Sequence, residues 1–272
     1  MPATNQRAVD KARSLACDVV ILDLEDAVAP DAKDLARQQA AVAVRAGLFG
    51  RRETVIRINT LETPWGKADL EAAVAAQPDG ILVPKVSSAK DITHYAQHIT
   101  GRTKLWAMIE TCGAILQLAE VAAASRACGV AAWIIGPNDL AKEMRCILDL
   151  ERRPLHAALS LAVIAARARG IAILDGVYND ISDLDGLRTQ CLQGAAFGFD
   201  GKSLIHPSQI QIANDVFSPT AEQIAWSRTV VEAFSMPENT NKGAIRVEGR
   251  MVERLHLKEA KRILSVVAAI QA

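Results

Sequence analysis

An excess of charge of either sign is the first thing this 272-residue sequence lacks: 31 Lys plus Arg stand against 31 Asp plus Glu. A chain without net charge has no whole-molecule field to hold nucleic acid or an anionic membrane, so any anionic ligand must be met by local groups. No apolar run approaches the roughly 18 residues that span a bilayer. The polar opening, MPATNQRAVDKARS, has no signal-peptide core, and a soluble, cytoplasmic protein is the expectation. The five cysteines, Cys17, Cys112, Cys128, Cys146 and Cys191, are odd in number and include no CxxC pair. They argue against a disulfide framework and a cysteine-built zinc site, and they suit a reducing compartment. Sixteen glycines and ten prolines are too few for a collagen-like or disordered chain. No Gly-x-Gly-x-x-Gly follows a strand, which weakens the case for a doubly wound dinucleotide-binding sheet.

What is present is a 50% hydrophobic chain, enough for a full core, with short β-branched runs recurring between helix-like stretches. Seven such runs fit strands: 18–24 (DVVILDL), 54–58 (TVIRI), 80–83 (GILV), 104–109 (KLWAMI), 131–135 (AAWII), 171–174 (IAIL) and 195–199 (AAFGF). They are near-continuously apolar, as strands of a parallel sheet covered on both faces are. Helical stretches begin at Asp31, Ser88 and Pro154, the last ending on Gly170. Repeated βα units over about 250 residues predict a (β/α)8 TIM barrel, with the open sheet as the alternative. Seven runs are one short of eight. Either Met1 to Thr4 forms a stub of the first strand or the chain begins too late, and the second is the expectation. The predicted organisation is a barrel domain over 1–234 and a C-terminal lid over 235–272, made of a ribbon turning at Glu248 and Gly249 and a terminal helix.

Working groups of such a barrel sit at the carboxyl ends of its strands. Here those ends carry Asp23, Glu25 and Asp26; Arg57 and Asn59; Pro84 and Lys85; Glu110; Gly136-Pro137-Asn138-Asp139; and Asp175. Several carboxylates and one arginine at one mouth suit a hard divalent cation and a carbonyl or carboxylate substrate. Each also has a plainer reading. Glu110 and Asp139 could cap their loops, Arg57 could pair with Glu25 or Asp26, and Lys85 and Asp175 have no assignable role. His94 and His98 have metal-pair spacing without a third ligand and read as helix surface, while His206 reads as a loop brace.

The runs DLEDAVAP, RINTLETPWGKADL, VPKV, MIET, GPNDLA, DGVYNDISDLDGL and GFDGKSLIHPSQI, in this order, resemble the citrate lyase β-subunit-like (HpcH/HpaI aldolase/citrate lyase) family of the phosphoenolpyruvate/pyruvate superfamily, which includes malyl-CoA and citramalyl-CoA lyases. That family has a first strand of the type LFVPG, largely absent here. The resemblance implies Mg²⁺, with Mn²⁺ as a substitute, held by Glu110 and Asp139. It implies substrate lined by Gly136, Pro137 and Asn138, with Arg57 against the thioester oxygen and Arg7 and Lys11 toward the CoA phosphates. In the tail, GRMVE stands where the family has a GxMID motif whose aspartate serves a neighbouring subunit. Glu253 takes that place, in a homo-oligomer expected to be a trimer or hexamer.

The leading expectation is therefore a Mg²⁺-dependent carbon–carbon lyase that cleaves a 3-hydroxyacyl-CoA such as malyl-CoA or citramalyl-CoA to acetyl-CoA and a 2-oxo acid. Three rivals stand beside it: a malyl-CoA thioesterase, a citrate lyase β-subunit working on an acyl carrier protein, and a non-catalytic shortened barrel.

Overall fold

A computed structural model describes residues 1–271, and the chain divides into two compact units, the first Met1–Ala213 and the second beginning at Asn214. No helix among the described residues is long and apolar enough to cross a membrane.

The first unit is built on one parallel sheet whose strands neighbour one another in sequence order: β1 (Val19–Asp23), β2 (Glu53–Arg57), β3 (Gly80–Val86), β4 (Lys104–Ile109), β5 (Ala132–Ile135), β6 (Ala172–Asp175) and β7 (Gly201–Lys202). This is the predicted α/β-barrel architecture. Alternation along the strands sends Val55, Leu82, Trp106, Met108, Ala132 and Ile134 into one inner cluster. The residues between them, such as Ile56, Ile81, Ala107 and Trp133, are buried on the opposite face. There the Trp133 indole donates to Ser125 Oγ (3.0 Å) of the helix Leu118–Ala127, which marks that face as the helix-covered one.

The first strand is truncated, as expected, and one predicted strand needs correction. The eighth position is not empty: Pro2 bridges Asp23 in parallel, with Asp23 N–H donating to Met1 O (2.8 Å) and Ala3 N–H to Asp23 O (3.0 Å). Met1 to Ala3 is thus the stub that the late-start expectation set aside. The run at 195–199 is not a strand. Ala195 to Phe197 complete the helix Leu184–Phe197, whose inward residues Leu187, Cys191 and Gly194 follow the helical period. Gly198, at φ +95°, ends that helix in the left-handed conformation that glycine adopts freely. The strand comes three residues later, at Gly201. Helix starts also differ in detail. Asp91 accepts from the Ser87 and Ser88 N–H groups (both 2.8 Å) at the predicted cap, whereas Asp31 lies in a 3₁₀ turn ahead of the helix Lys33–Arg45 and caps nothing.

The second unit contains the helices Ala221–Ser235 and Arg254–Gln271 and the hairpin β8 (Ala244–Val247) and β9 (Arg250–Glu253). Glu248 and Gly249, at φ +46° and +81°, form its two-residue turn, as predicted. Val230, Phe234, Ile245, Val247, Val252, Leu257 and Ala260 make one core, so helix Ala221–Ser235 belongs with the tail, not with the barrel up to residue 234. The predicted boundary moves to 213/214 because the hairpin's inward face, Ile245, Val247 and Val252, needs the inward face of that helix to cover it. On the last helix Val267 is buried and Ile270 half exposed.

Candidate active site

Parallel pairing puts Asp23 of β1 directly beside Arg57 of β2 in register. Neighbours in register point to the same side of a sheet, so the guanidinium meets the carboxylate as a fork: Nε to Oδ1 and Nη2 to Oδ2, both 2.6 Å. Arg57 Nη1 lies 2.8 Å from Glu25 Oε2 and 3.7 Å from Asp26 Oδ2. The Glu25 contact is off the N–H direction, so it is an ion pair and leaves that oxygen without a hydrogen bond. Asp23, more than Glu25 or Asp26, is therefore the partner of Arg57. Burial works to raise the Asp23 carboxyl, but the Arg57 hydrogen bonds and charge outweigh it and hold it below its ordinary value. Burial pushes Glu25 up despite Arg57 and Lys85.

The turn after β1 is braced by a lysine that sequence patterning missed. Lys33, buried, donates to Leu24 O and Glu25 O (both 2.8 Å) and to Asn59 Oδ1 (2.9 Å), and Asn59 in turn donates to Leu24 O (2.8 Å). Nothing local marks Lys33 as buried, because its partners lie up to 26 positions away.

Glu110 directly follows β4 and is 2% exposed. Its Oε1 accepts from the Lys85 peptide N–H at 2.7 Å. Its Oε2 lies against Gly136, where an added Cβ would come within 2.1 Å, so only glycine leaves the space. Asp139 sits in the first turn of the helix Pro137–Met144, where N–H groups favour a carboxylate. Burial pushes Glu110 up to about 7; the Lys85 N–H pulls it back, and the charges of Glu25 and Asp139 push it further up. Lys85 Nζ holds Glu25 Oε1 at 2.6 Å. Arg57, Lys85, Lys33 and the N-terminal amine all lie near Asp23, Glu25 and Asp26, whereas the charge of Asp139 still pushes Glu110 up, and a cation between those two carboxylates would relieve that repulsion.

The donor set fits Mg²⁺. Among the described residues no group of three or more His, Cys, Asp and Glu could hold a metal. Mg²⁺ characteristically takes one or two carboxylates and fills its remaining positions with water and substrate oxygens. Glu110 Oε2, unengaged by the Lys85 peptide and backed by the Gly136 cradle, is suited to such a ion's first carboxylate contact.

A family model described as HpcH/HpaI aldolase/citrate lyase matches residues 1–207. The chain belongs to the HpcH/HpaI aldolase/citrate lyase family. Among relatives of this family, a (3S)-malyl-CoA thioesterase of Cereibacter sphaeroides (strain KD131 / KCTC 12085) is 44% identical over 272 residues, covering 100% of this chain and 94% of the relative. The mitochondrial citramalyl-CoA lyase of Rattus norvegicus is 30% identical over 288 residues, covering 100% and 85%. The solved structure of CitE from Mycobacterium tuberculosis in complex with magnesium, acetoacetate and coenzyme A is 31% identical with a TM-score of 0.76, covering 98% of this chain and 96% of that one.

The remaining residues singled out for this family's chemistry fall as follows. Asn138 and Asn179 exchange amide hydrogen bonds (3.2 and 2.8 Å) beside Pro137, at a cavity of about 340 Å³ also lined by Arg152, Tyr178 and Gln190. Arg7 and Lys11 are exposed, one turn apart on the helix Gln6–Ala12. Glu253 ends β9 in the second unit and is exposed, its N–H donating to His256 Nδ1 (3.0 Å). His94 and His98 meet edge to face at 5.3 Å. His206 braces its loop through Ser208. Asp175 is no mouth residue in solution contact; it is fully buried between Arg152 Nη1 (2.7 Å) and Lys202 Nζ (2.8 Å).

Proposed function

We propose that this chain is a Mg²⁺-dependent hydrolase of a 3-hydroxyacyl-CoA thioester of the malyl-CoA type. The substrate class rests on the relatives named for malyl-CoA and citramalyl-CoA, and it suits a site where the carboxylates of Glu110 and Asp139 act on one another near the half-buried, fork-bound Arg57. Hydrolysis, in place of the carbon–carbon cleavage that motifs alone favour, rests on the 44% identity to a malyl-CoA thioesterase along the whole chain, against 30% to a citramalyl-CoA lyase.

In this reading Glu110 and Asp139 hold the ion, which when bound supplies Lewis acidity and orients the substrate's oxygens. Arg57 steadies the thioester oxygen as it gains negative charge, a task for a permanently charged, planar group. Asp23 keeps that guanidinium in one orientation. Water adds to the thioester carbon, the carbon–sulfur bond breaks, and the proton lost by water ends on the CoA thiol, with Glu253 as the group that carries it. Arg7 and Lys11 face the CoA phosphates. Gly136, Pro137 and Asn138 line the acyl portion.

A second reading keeps the site and changes the bond. With the citramalyl-CoA lyase and citrate lyase relatives as its support, Arg57 would stabilise a thioester enolate leaving a 2-oxo acid. Incubating the protein with Mg²⁺ and malyl-CoA in H₂¹⁸O separates the two by mass spectrometry. The expected products are free CoA and malate labelled in its carboxyl group. Acetyl-CoA and glyoxylate would instead establish the lyase, and turnover only on an acyl carrier protein thioester would point to a citrate lyase subunit.

The trimer or hexamer, with Glu253 delivered to a neighbouring subunit, is part of the same proposal. Mixing Arg57→Ala with Glu253→Ala protein under conditions that exchange subunits should restore partial activity, since some mixed assemblies contain a complete site. A mixture that exchanges and stays inactive places Glu253 outside the neighbouring site.

A further inference from the structure

Five non-glycine residues among those described have positive φ: Gln77, Lys85, Arg145, Arg152 and Glu248. Gln77 and Arg145 end helices, Arg152 precedes a 3₁₀ turn, and Glu248 is in the hairpin turn; Lys85, at φ +54°, is the one inside a strand. Left-handed backbone disfavours any residue with a Cβ, and within a sheet it also breaks the ladder. The ladder does break here. Val83 pairs with Ala107 and Val86 with Ile109, so three steps on β3 oppose two on β4. The additional residue is a bulge, a device that re-aims backbone and side chain at one point of a strand. What it re-aims is the Lys85 N–H, which leaves the sheet and reaches Glu110 Oε1 at 2.7 Å. The ammonium of the same residue engages a second carboxylate, Glu25, at 2.6 Å.

We propose that Lys85 is a positioning residue whose left-handed peptide, through its N–H, fixes the Glu110 carboxylate so that one set oxygen is presented to the divalent cation. A carboxylate held at neither oxygen rotates, and Mg²⁺ accepts little departure from octahedral geometry. With Oε1 tied to Lys85 and Oε2 backed by Gly136, Glu110 has one orientation before any ion arrives. Groups that orient a metal ligand from behind ordinarily change metal affinity when disturbed. The inference rests on the reading that Glu110 holds Mg²⁺.

The test compares Lys85→Gly, Lys85→Asn and Lys85→Val by isothermal titration calorimetry with MgCl₂ alone, with circular dichroism to confirm folding. All three remove the ammonium, so its effect on affinity cancels. Glycine and asparagine adopt left-handed backbone readily, and β-branched valine resists it. The glycine and asparagine variants should bind Mg²⁺ alike, and the valine variant roughly 10- to 100-fold more weakly. Should the valine variant not fold, Lys85→Ala replaces it, with a smaller loss expected. Equal affinities for glycine and valine, or alanine in its place, would overturn the inference. In the same assay Glu110→Gln should abolish binding. Undiminished binding there removes the reading beneath the inference, whereas lost binding there with equal Lys85 variants sinks the positioning role alone.

Discussion

Replacing Arg57 with lysine is expected to lower turnover of the CoA thioester by about 10²- to 10³-fold while leaving Mg²⁺ affinity within a few-fold of the unaltered protein. The reason is geometric. Arg57 occupies both oxygens of Asp23 with two different nitrogens, each at 2.6 Å, and places its third nitrogen 2.8 Å from Glu25. An ammonium is one point with three rotatable donors, and it cannot span Asp23 and still hold a fixed direction toward developing charge. The buried Asp23 also loses the hydrogen bonds that hold its carboxyl low. Glu110 keeps its contacts to Lys85 and Gly136, so the carboxylate proposed to hold the cation is undisturbed. Release of CoA, followed with a thiol reagent, gives the turnover, and calorimetry with MgCl₂ gives the affinity. Undiminished turnover would make the Asp23–Arg57 pair a strut between strands and nothing more.

The second large effect concerns stability. Asp175 ends β6 with one oxygen on Arg152 and the other on Lys202, and both cationic side chains are as buried as the carboxylate. Asp175→Asn removes the one anion and leaves two buried positive groups, a change of the kind that costs about 3–5 kcal/mol. For a unit of this size that is a fall in melting temperature of roughly 6–20 °C. Arg153→Ala, which removes an ion pair between an exposed arginine and Asp149, should move the melting temperature by no more than about 2 °C. Calorimetric scans of the two variants beside the parent check this, and equal small shifts would mean that Arg152 and Lys202 find other partners.

These expectations draw on different amounts of sequence information. The positions of Glu110, Asp139 and Arg57 at strand ends were legible, because short β-branched runs mark parallel strands and parallel barrels place their chemistry at carboxyl ends. The resemblance of the motifs to a family could be read from the same stretches. The seventh strand was not legible. Its two residues, Gly201 and Lys202, carry no β-branched pattern, while the apolar run before them satisfies a helix equally well. The stub at Met1 to Ala3 was one of two alternatives and could not be chosen for a related reason: so short a bridge has no periodicity, and its backbone bonds to β1 are the whole of its signal.

By itself, then, the sequence determined the parallel α/β architecture, the hairpin turn at Glu248 and Gly249, and the strand-end carboxylates beside one arginine. These depend on residue type and short-range spacing, which local backbone preference and burial translate directly into structure. Only the tertiary structure decided that Arg57 pairs with Asp23 across 34 positions, that Asp175 is a buried strut bound to residues 23 and 27 positions away, and that Lys85 turns left-handed to reach Glu110, 25 positions on. A charge among several candidates finds its partner through distance and desolvation in the folded chain, and neither quantity exists until the strands are side by side in register.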